Sequence, residues 1–226
     1  MATATKPKLI IFDLDDTLLP AESTYDLALS EIGISPQDPS FLKARAQVKS
    51  LLPPLAPVAR SRFLYLKCYL EMNHLYSAQS HLDLAEKYEN LVVKKMQASW
   101  QNLKRPALFR NLKSHGFEIA ILTNETCRLQ TRKLASFESG EKFFDFLLSS
   151  EERGVEKPNL NLFKELLTRF QVNASQTLMV GDSLENDIQP ALELKIPCLQ
   201  TIEFKNSQTK LCPMIKSLDE VLDYIQ

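Results

Sequence analysis

Asp13 and Asp15 follow directly on an apolar run, residues 8–12 (KLIIF). Two positions apart in extended chain, their side chains point to the same side. Two close carboxylates repel, and one is kept protonated unless a cation intervenes. A divalent cation removes that conflict, and magnesium favours carboxylate, carbonyl and water oxygens. A third carboxylate, Asp182, follows Gly181 at the end of another apolar run, residues 177–180 (TLMV). His74, His81 and His115 all lie elsewhere, so the metal set is all oxygen, which favours Mg2+ over zinc. A further run, residues 117–122 (FEIAIL), stops at the polar pair Thr123-Asn124. The chain has five glycines and neither GxGxxG nor GxxxxGK[ST], so a phosphate must be held without a glycine-rich loop.

The elements that position these residues follow from the pattern. The three runs have strand length and the Ile/Val/Leu/Phe content of strands buried on both faces. Weaker strands are expected at 145–148 (DFLL) and 196–199 (IPCL). Helices are expected between them: 106–115, opened by Pro106 and closed by Gly116; 126–136; 159–171, with Leu162, Phe163, Leu166, Leu167 and Phe170 on one face; and 184–194. Ser217 and Glu220 form a capping box for a last helix to about 225. This alternation predicts an α/β fold, a three-layer sandwich with a mostly parallel, Rossmann-like sheet. In such a sheet the strand ends share one edge, and ligands bind in the crevice outside them. Asp13, Thr123 and Asp182 stand at those ends.

Residues 19–102 break the alternation and read as helices throughout, with candidates at 24–32, 41–51, 60–72 and 81–100. The third is apolar on most sides, which predicts burial between other helices. Ser80 with Asp83 is the expected cap of the fourth. The expected division is an α/β core of 1–18 and 103–226 with a helical domain, 19–102, inserted after the first strand. Trp100, near the second junction, is expected to anchor the insert to the core.

Composition excludes several classes. Lys and Arg number 27 against 28 Asp and Glu, so no overall field favours nucleic acid or an anionic membrane. No apolar run approaches the roughly 18 residues of a membrane-spanning helix. The first residues, MATATKPK, lack the pattern of a secretory leader. Cys68, Cys127, Cys198 and Cys212 are scattered without a CxxC, the usage of a reduced, cytoplasmic protein without structural zinc. The sequence leaves the oligomeric state open, and a monomer is compatible with it.

Four strings, FDLDDTL (12–18), LTN (122–124), EKPNLNLF (156–163) and VGDSLENDI (180–188), resemble the four ordered motifs of the haloacid dehalogenase-like (HAD) hydrolases. Helical caps of that superfamily are inserted where 19–102 stands. The resemblance implies a magnesium-dependent phosphatase acting on a small phosphorylated metabolite, such as a sugar phosphate, a nucleoside monophosphate or phosphoglycolate. It implies Asp13 as nucleophile, forming an aspartyl-phosphate, and Asp15 as general acid/base. The metal would be held by the Asp13 carboxylate, the Asp15 backbone carbonyl and the Asp182 carboxylate. Thr123, the Asn124 backbone and Lys157 would hold the phosphoryl group, with Asp187 positioning Lys157 or a metal-bound water. Asp15 marks phosphate ester chemistry, because relatives that cleave carbon–halogen bonds lack this second acid: an oxygen leaving group needs a proton and a halide does not.

Two positions depart from the pattern. Glu125 replaces a small residue and places an acid near the phosphate site. Pro190 falls in a helix, where it is expected to introduce a kink. Taken singly, each motif also has a plain reading: DLDDT fits an acidic turn with Asp16 as a cap, and Asp182 and Asp187 suit a helix N-terminus. Arg60, Arg62, Lys67 and His74 of the insert could contact substrate but read first as solvated or paired surface charges. Tyr65 and Tyr69 read as packing groups. Cys127 lies near a helix N-terminus, which can lower a thiol pKa, although a partly buried thiol is the plainer reading. Two other functions stay open: a phosphomutase of the same superfamily, and a catalytically idle binding or regulatory module on the same fold.

Overall fold

The apolar runs become strands. In this computed structural model, which describes residues 7–205 and 209–225, β1 (Leu9–Phe12), β2 (Glu118–Thr123), β3 (Phe146–Ser149), β4 (Thr177–Gly181), β5 (Cys198–Thr201) and β6 (Met214–Ile215) form one sheet. Every pairing is parallel, in the order β3-β2-β1-β4-β5-β6. Two-residue β6 was not expected from the sequence; it is too short to show a period. Residues 1–6 of the N-terminal stretch read above for a leader lie outside the described residues.

Both sheet faces are apolar, as continuous hydrophobic strands require. Ile10, Phe12, Ile119, Ile121, Leu178 and Val180 join one core cluster, while Leu9, Ile11, Ala120, Leu122 and Met179 join the other. The second cluster is closed by α7 (Leu160–Arg169), through Leu162, Phe163 and Leu166, and by α8 (Gln189–Glu193), through Ala191. The first is closed by α5 (Arg105–Ser114), α6 (Cys127–Phe137) and α9 (Val221–Ile225). Helices on both faces of the sheet make the expected three layers. The strand order reverses at β1, so the crevice outside the ends of β1 and β4 is the switch point where open α/β sheets bind ligands.

Four helices fill 19–102: α1 (Ala21–Glu31), α2 (Pro39–Ser50), α3 (Arg62–Met72) and α4 (Ala78–Asn102). Their apolar residues continue the first cluster without a break, from Tyr25, Phe41 and Leu66 through Tyr88 and Met96 to Trp100. Trp100 is fully buried and stacks on Phe137 at 4.8 Å, with Phe109 at 5.1 Å. Its ring therefore joins α4 to α5 and α6.

Three local expectations change. Helix α4 starts a turn early because Ser77, not Ser80, is its N-cap; Ser80 is the reciprocal partner and accepts from the Ser77 N–H at 2.9 Å. Helix α3 is not buried all round: Phe63 is 41% exposed. The helix expected at 184–194 is not α throughout: residues 184–188 form a π turn that runs directly into α8, and Pro190 stands just after that junction. The capping box of Ser217 and Glu220 forms as expected.

Candidate active site

A cavity of about 650 Å³ opens at the C-terminal ends of β1, β2 and β4. It is lined by Asp13, Asp15, Thr123, Asn124, Lys157, Asp182 and Asp187, so all seven residues singled out in the sequence meet in one place.

Asp13 continues β1, its N–H donating to Val180 O at 3.0 Å. Its carboxylate accepts from Lys157 Nζ at 2.7 Å and from Thr17 Oγ1 at 3.0 Å. Lys157 is buried, and its ammonium has three acceptors: Asp13 Oδ1, Asp187 Oδ1 at 2.6 Å and Leu122 O at 2.9 Å. Burial disfavours the charged lysine, but Asp13 and Asp187 outweigh it and hold its pKa above the usual value. Asp187 reaches this position over Gly181, where a Cβ would meet the Asp187 side chain at 2.5 Å. Asp187 Oδ2 also accepts from the Ser183 N–H.

Asp13, Asp182 and Asp187 each offer an oxygen within 4.8 Å of the others. Burial, with Asp13 adding repulsion, pushes Asp182 up to about 6; burial together with Asp13 and Asp182 pushes Asp187 up to about 7 against the pull of Lys157. Buried acids that resist ionisation in one another's presence are what a divalent cation relieves, and the donor set is all oxygen, so these residues fit magnesium. Asp187 joins this set as well as holding Lys157.

Asp15 is turned away from that trio. Its Oδ2 accepts from Tyr25 OH at 2.7 Å and Gln130 Nε2 at 3.0 Å, and its Oδ1 from Lys133 Nζ at 2.7 Å. Burial raises its pKa, but Lys133, Tyr25 and Arg62 prevail and hold it below the usual value. Thr123 is tied in through Gln130 Nε2 at 2.8 Å. The Asn124 side chain is spent on the Lys157 backbone, donating to its carbonyl at 2.9 Å and accepting from its N–H at 2.7 Å. Any contact of Asn124 with a phosphate therefore falls to its backbone N–H.

Glu125 is buried in the cavity wall and ion-paired with Arg62, which lies 3.9 Å over the Tyr25 ring. Arg60 forks onto Glu156 at 2.7 and 2.9 Å. Asp16, at φ 62°, caps α1 by accepting from the Ala21 and Glu22 N–H groups, the plain reading offered for it above. Cys127 opens α6, but burial and nearby Glu152 and Glu151 raise its thiol pKa rather than lower it. Lys67 pairs with Glu71 on α3, and Tyr65 and Tyr69 pack against Phe41.

The sequence model of the haloacid dehalogenase-like hydrolases matches residues 7–194. The chain belongs to this family. It is 33% identical over 221 residues to the ribulose-1,5-bisphosphate 5-phosphatase of Halopiger xanaduensis, covering 92% of this chain and 87% of that one. It is 27% identical over 233 residues to the glyceraldehyde 3-phosphate phosphatase of Methanocaldococcus jannaschii, covering 97% of each. Among solved structures, the HAD-hydrolase YfnB from Bacillus subtilis, bound to magnesium, superposes with a TM-score of 0.68 over 98% of this chain and 99% of that one, at 22% identity. The expectation of an enzyme of this family, a phosphoric monoester hydrolase, is met.

Sequence reasoning missed Tyr25 of α1 and four further members of the site. Gln130 and Lys133 fall on the buried stripe of α6 with Leu129, Leu134 and Phe137, and two polar residues on an apolar stripe were the available signal. Thr17 bridges Asp13 and Asp182, accepting from the Asp182 N–H at 3.0 Å. Lys205 reaches Asp16 at 2.8 Å and Asp182 at 3.3 Å from beyond β5, and no pattern in the sequence marks it.

Proposed function

We propose that this HAD-family enzyme is a magnesium-dependent phosphatase that hydrolyses a small-molecule phosphate monoester through an aspartyl-phosphate on Asp13. The observation that carries this reading is Asp13 at the switch point, fixed by Lys157 and Thr17 and beside two further buried carboxylates. The core comprises 1–18 and 103–226, and 19–102 is a cap over the site.

The Asp13 carboxylate attacks phosphorus and the ester P–O bond breaks. Asp15 gives a proton to the leaving oxygen. Asp15 then takes a proton from the water that attacks the same phosphorus, and the Asp13–phosphorus bond breaks to release inorganic phosphate. The donors around Asp15 favour its ionised form, which suits the second half. An arriving phosphate, itself anionic, raises the Asp15 pKa and favours proton uptake for the first half. Lys157 balances the phosphoryl charge, while the Thr123 hydroxyl and the Asn124 backbone N–H bond its oxygens. The Asp13 and Asp182 carboxylates and the Asp15 carbonyl would hold Mg2+, with Asp187 close by. When bound, the ion neutralises charge between the nucleophile and the phosphate.

Phosphate release from a panel of phosphorylated metabolites, with and without magnesium, tests the reading. Magnesium-dependent release from at least one of them is expected. Release that survives chelation, or none on any compound, would overturn it.

A further inference from the structure

The cations of the cavity's far wall are not all paired. Its cations come from the insert: Arg45 and Lys49 on α2, Arg60 in the 3₁₀ turn Pro57–Arg60, and Arg62 at the start of α3. Two are answered by acids, Arg60 by Glu156 and Arg62 by Glu125. Those acids are the chain neighbours of Lys157 and Asn124, so the ion pairs fix this wall beside the loops that carry the phosphate-holding residues.

Arg45 and Lys49 have no such partner among the described residues. They are four apart, one helical turn, and therefore stacked on one face of α2. The buried stripe of that helix, Phe41 and Ala44 with Val48 partly buried beside them, packs towards α3 through Tyr65 and Tyr69. Arg45 and Lys49 flank the stripe and line the cavity. The Lys49 pKa is lowered by burial and then by Arg45, Arg60 and Arg62, with Glu156 opposing. The acids on α1 that also line the cavity, Glu22 and Asp26, are not among the groups that act most on Lys49.

We infer that Arg45 and Lys49 form a second anion subsite, so that the substrate is a phosphate ester carrying another anionic group, a second phosphate or a carboxylate, on the same small molecule. This rests on the phosphatase reading: the scissile phosphate sits at Asp13 and Lys157, and the second group at Arg45 and Lys49. A cavity of about 650 Å³ is ample for both. The subsite selects by charge, because two exposed cations on long side chains make few directional bonds. Its contribution is therefore screened by salt.

The test is steady-state kinetics of the full-length enzyme with magnesium on matched pairs: fructose 1,6-bisphosphate against fructose 6-phosphate, and phosphoglycolate against the monophosphate of ethylene glycol, with p-nitrophenyl phosphate as a reference. The expected result is a preference in kcat/KM, on the order of tenfold, for the member of at least one pair that carries the second anionic group, expressed in KM and shrinking as salt is raised. The two pairs distinguish a second phosphate from a carboxylate. In the Arg45→Gln/Lys49→Gln double variant that ratio should fall towards one, whereas Arg45→Lys/Lys49→Arg, which keeps the charge, should retain it. A wild-type ratio near one in both pairs, or a ratio unchanged in the charge-neutral variant, overturns the subsite while p-nitrophenyl phosphate turnover leaves the phosphatase reading standing. No phosphate release from any of these compounds would overturn the phosphatase reading and the subsite with it.

Discussion

The floor and the far wall of the same cavity are built on opposite principles. At the floor the charged side chains are tied to one another, and the charge left over is that of the Asp13, Asp182 and Asp187 trio. Lys157 has three acceptors, Asp15 has three donors, and Lys205 spans Asp16 and Asp182. On the far wall Arg60 and Arg62 are paired, while Arg45 and Lys49 have no ion-pair partner among the described residues. A floor whose groups hold one another in place is oriented before substrate arrives, the condition for strong electrostatic stabilisation of a transition state. A wall with spare positive charge does no chemistry by itself and waits for charge from the ligand. The difference separates how the reaction is run from what it is run on.

Changes at the floor should therefore damage turnover, and changes at the wall should alter choice. The largest effect is expected for Asp13→Asn, which keeps the shape and removes the nucleophile: kcat should fall by on the order of a thousandfold or more, with an unchanged melting temperature separating chemistry from folding. Trp100→Ala acts away from both, on the joint of α4 with α5 and α6. It should cost about 3–5 kcal/mol in urea unfolding, as for large aromatic-to-alanine changes in a core. Asp182→Ala should weaken magnesium binding about tenfold or more, read by calorimetric titration of Mg2+ as well as by the magnesium dependence of activity. Lys133→Met leaves Asp15 with Tyr25 and Gln130 only. It should cost roughly 2–3 kcal/mol in unfolding and raise the Asp15 pKa, so that the acidic limb of the kcat–pH profile moves to higher pH as the ionised form that takes the proton from water is lost sooner. An unmoved pH profile would mean that Lys133 serves the fold and not Asp15.

The same contrast governs how much was legible in the sequence. The floor was readable because three apolar runs end in polar residues at one edge of the sheet, and a buried strand gains nothing from such an end. Asp13, Thr123 and Asp182 announced themselves in this way, whereas the close approach of Asp187 to Gly181 shows only in the structure. Lys133 and Gln130 were half legible: they sit on the apolar stripe of α6, but a single Lys in a helix reads as a solvated charge until its partner Asp15 is placed 2.7 Å away. Glu125 looked like a defect beside a phosphate, because its counterion Arg62 lies 63 positions earlier and nothing local connects them. Arg45 and Lys49 were illegible altogether. On a helix whose other face is buried, their spacing is that of an ordinary solvated face, and only the fold shows that this face looks into the cavity. The helices of the insert were placed within a few residues, yet Ser77 rather than Ser80 capped α4, since either serine satisfies the local pattern.

The central claim is a covalent intermediate on Asp13, and trapping tests it most directly. Enzyme turning over a good substrate with magnesium is quenched in acid, reduced with borohydride and mapped by mass spectrometry of its peptides. Reduction of an acyl phosphate converts the aspartate to homoserine. The expected result is homoserine at position 13, dependent on substrate and magnesium. Homoserine at position 15 or 182, or phosphate release with no modified aspartate at any time of quench, would contradict it.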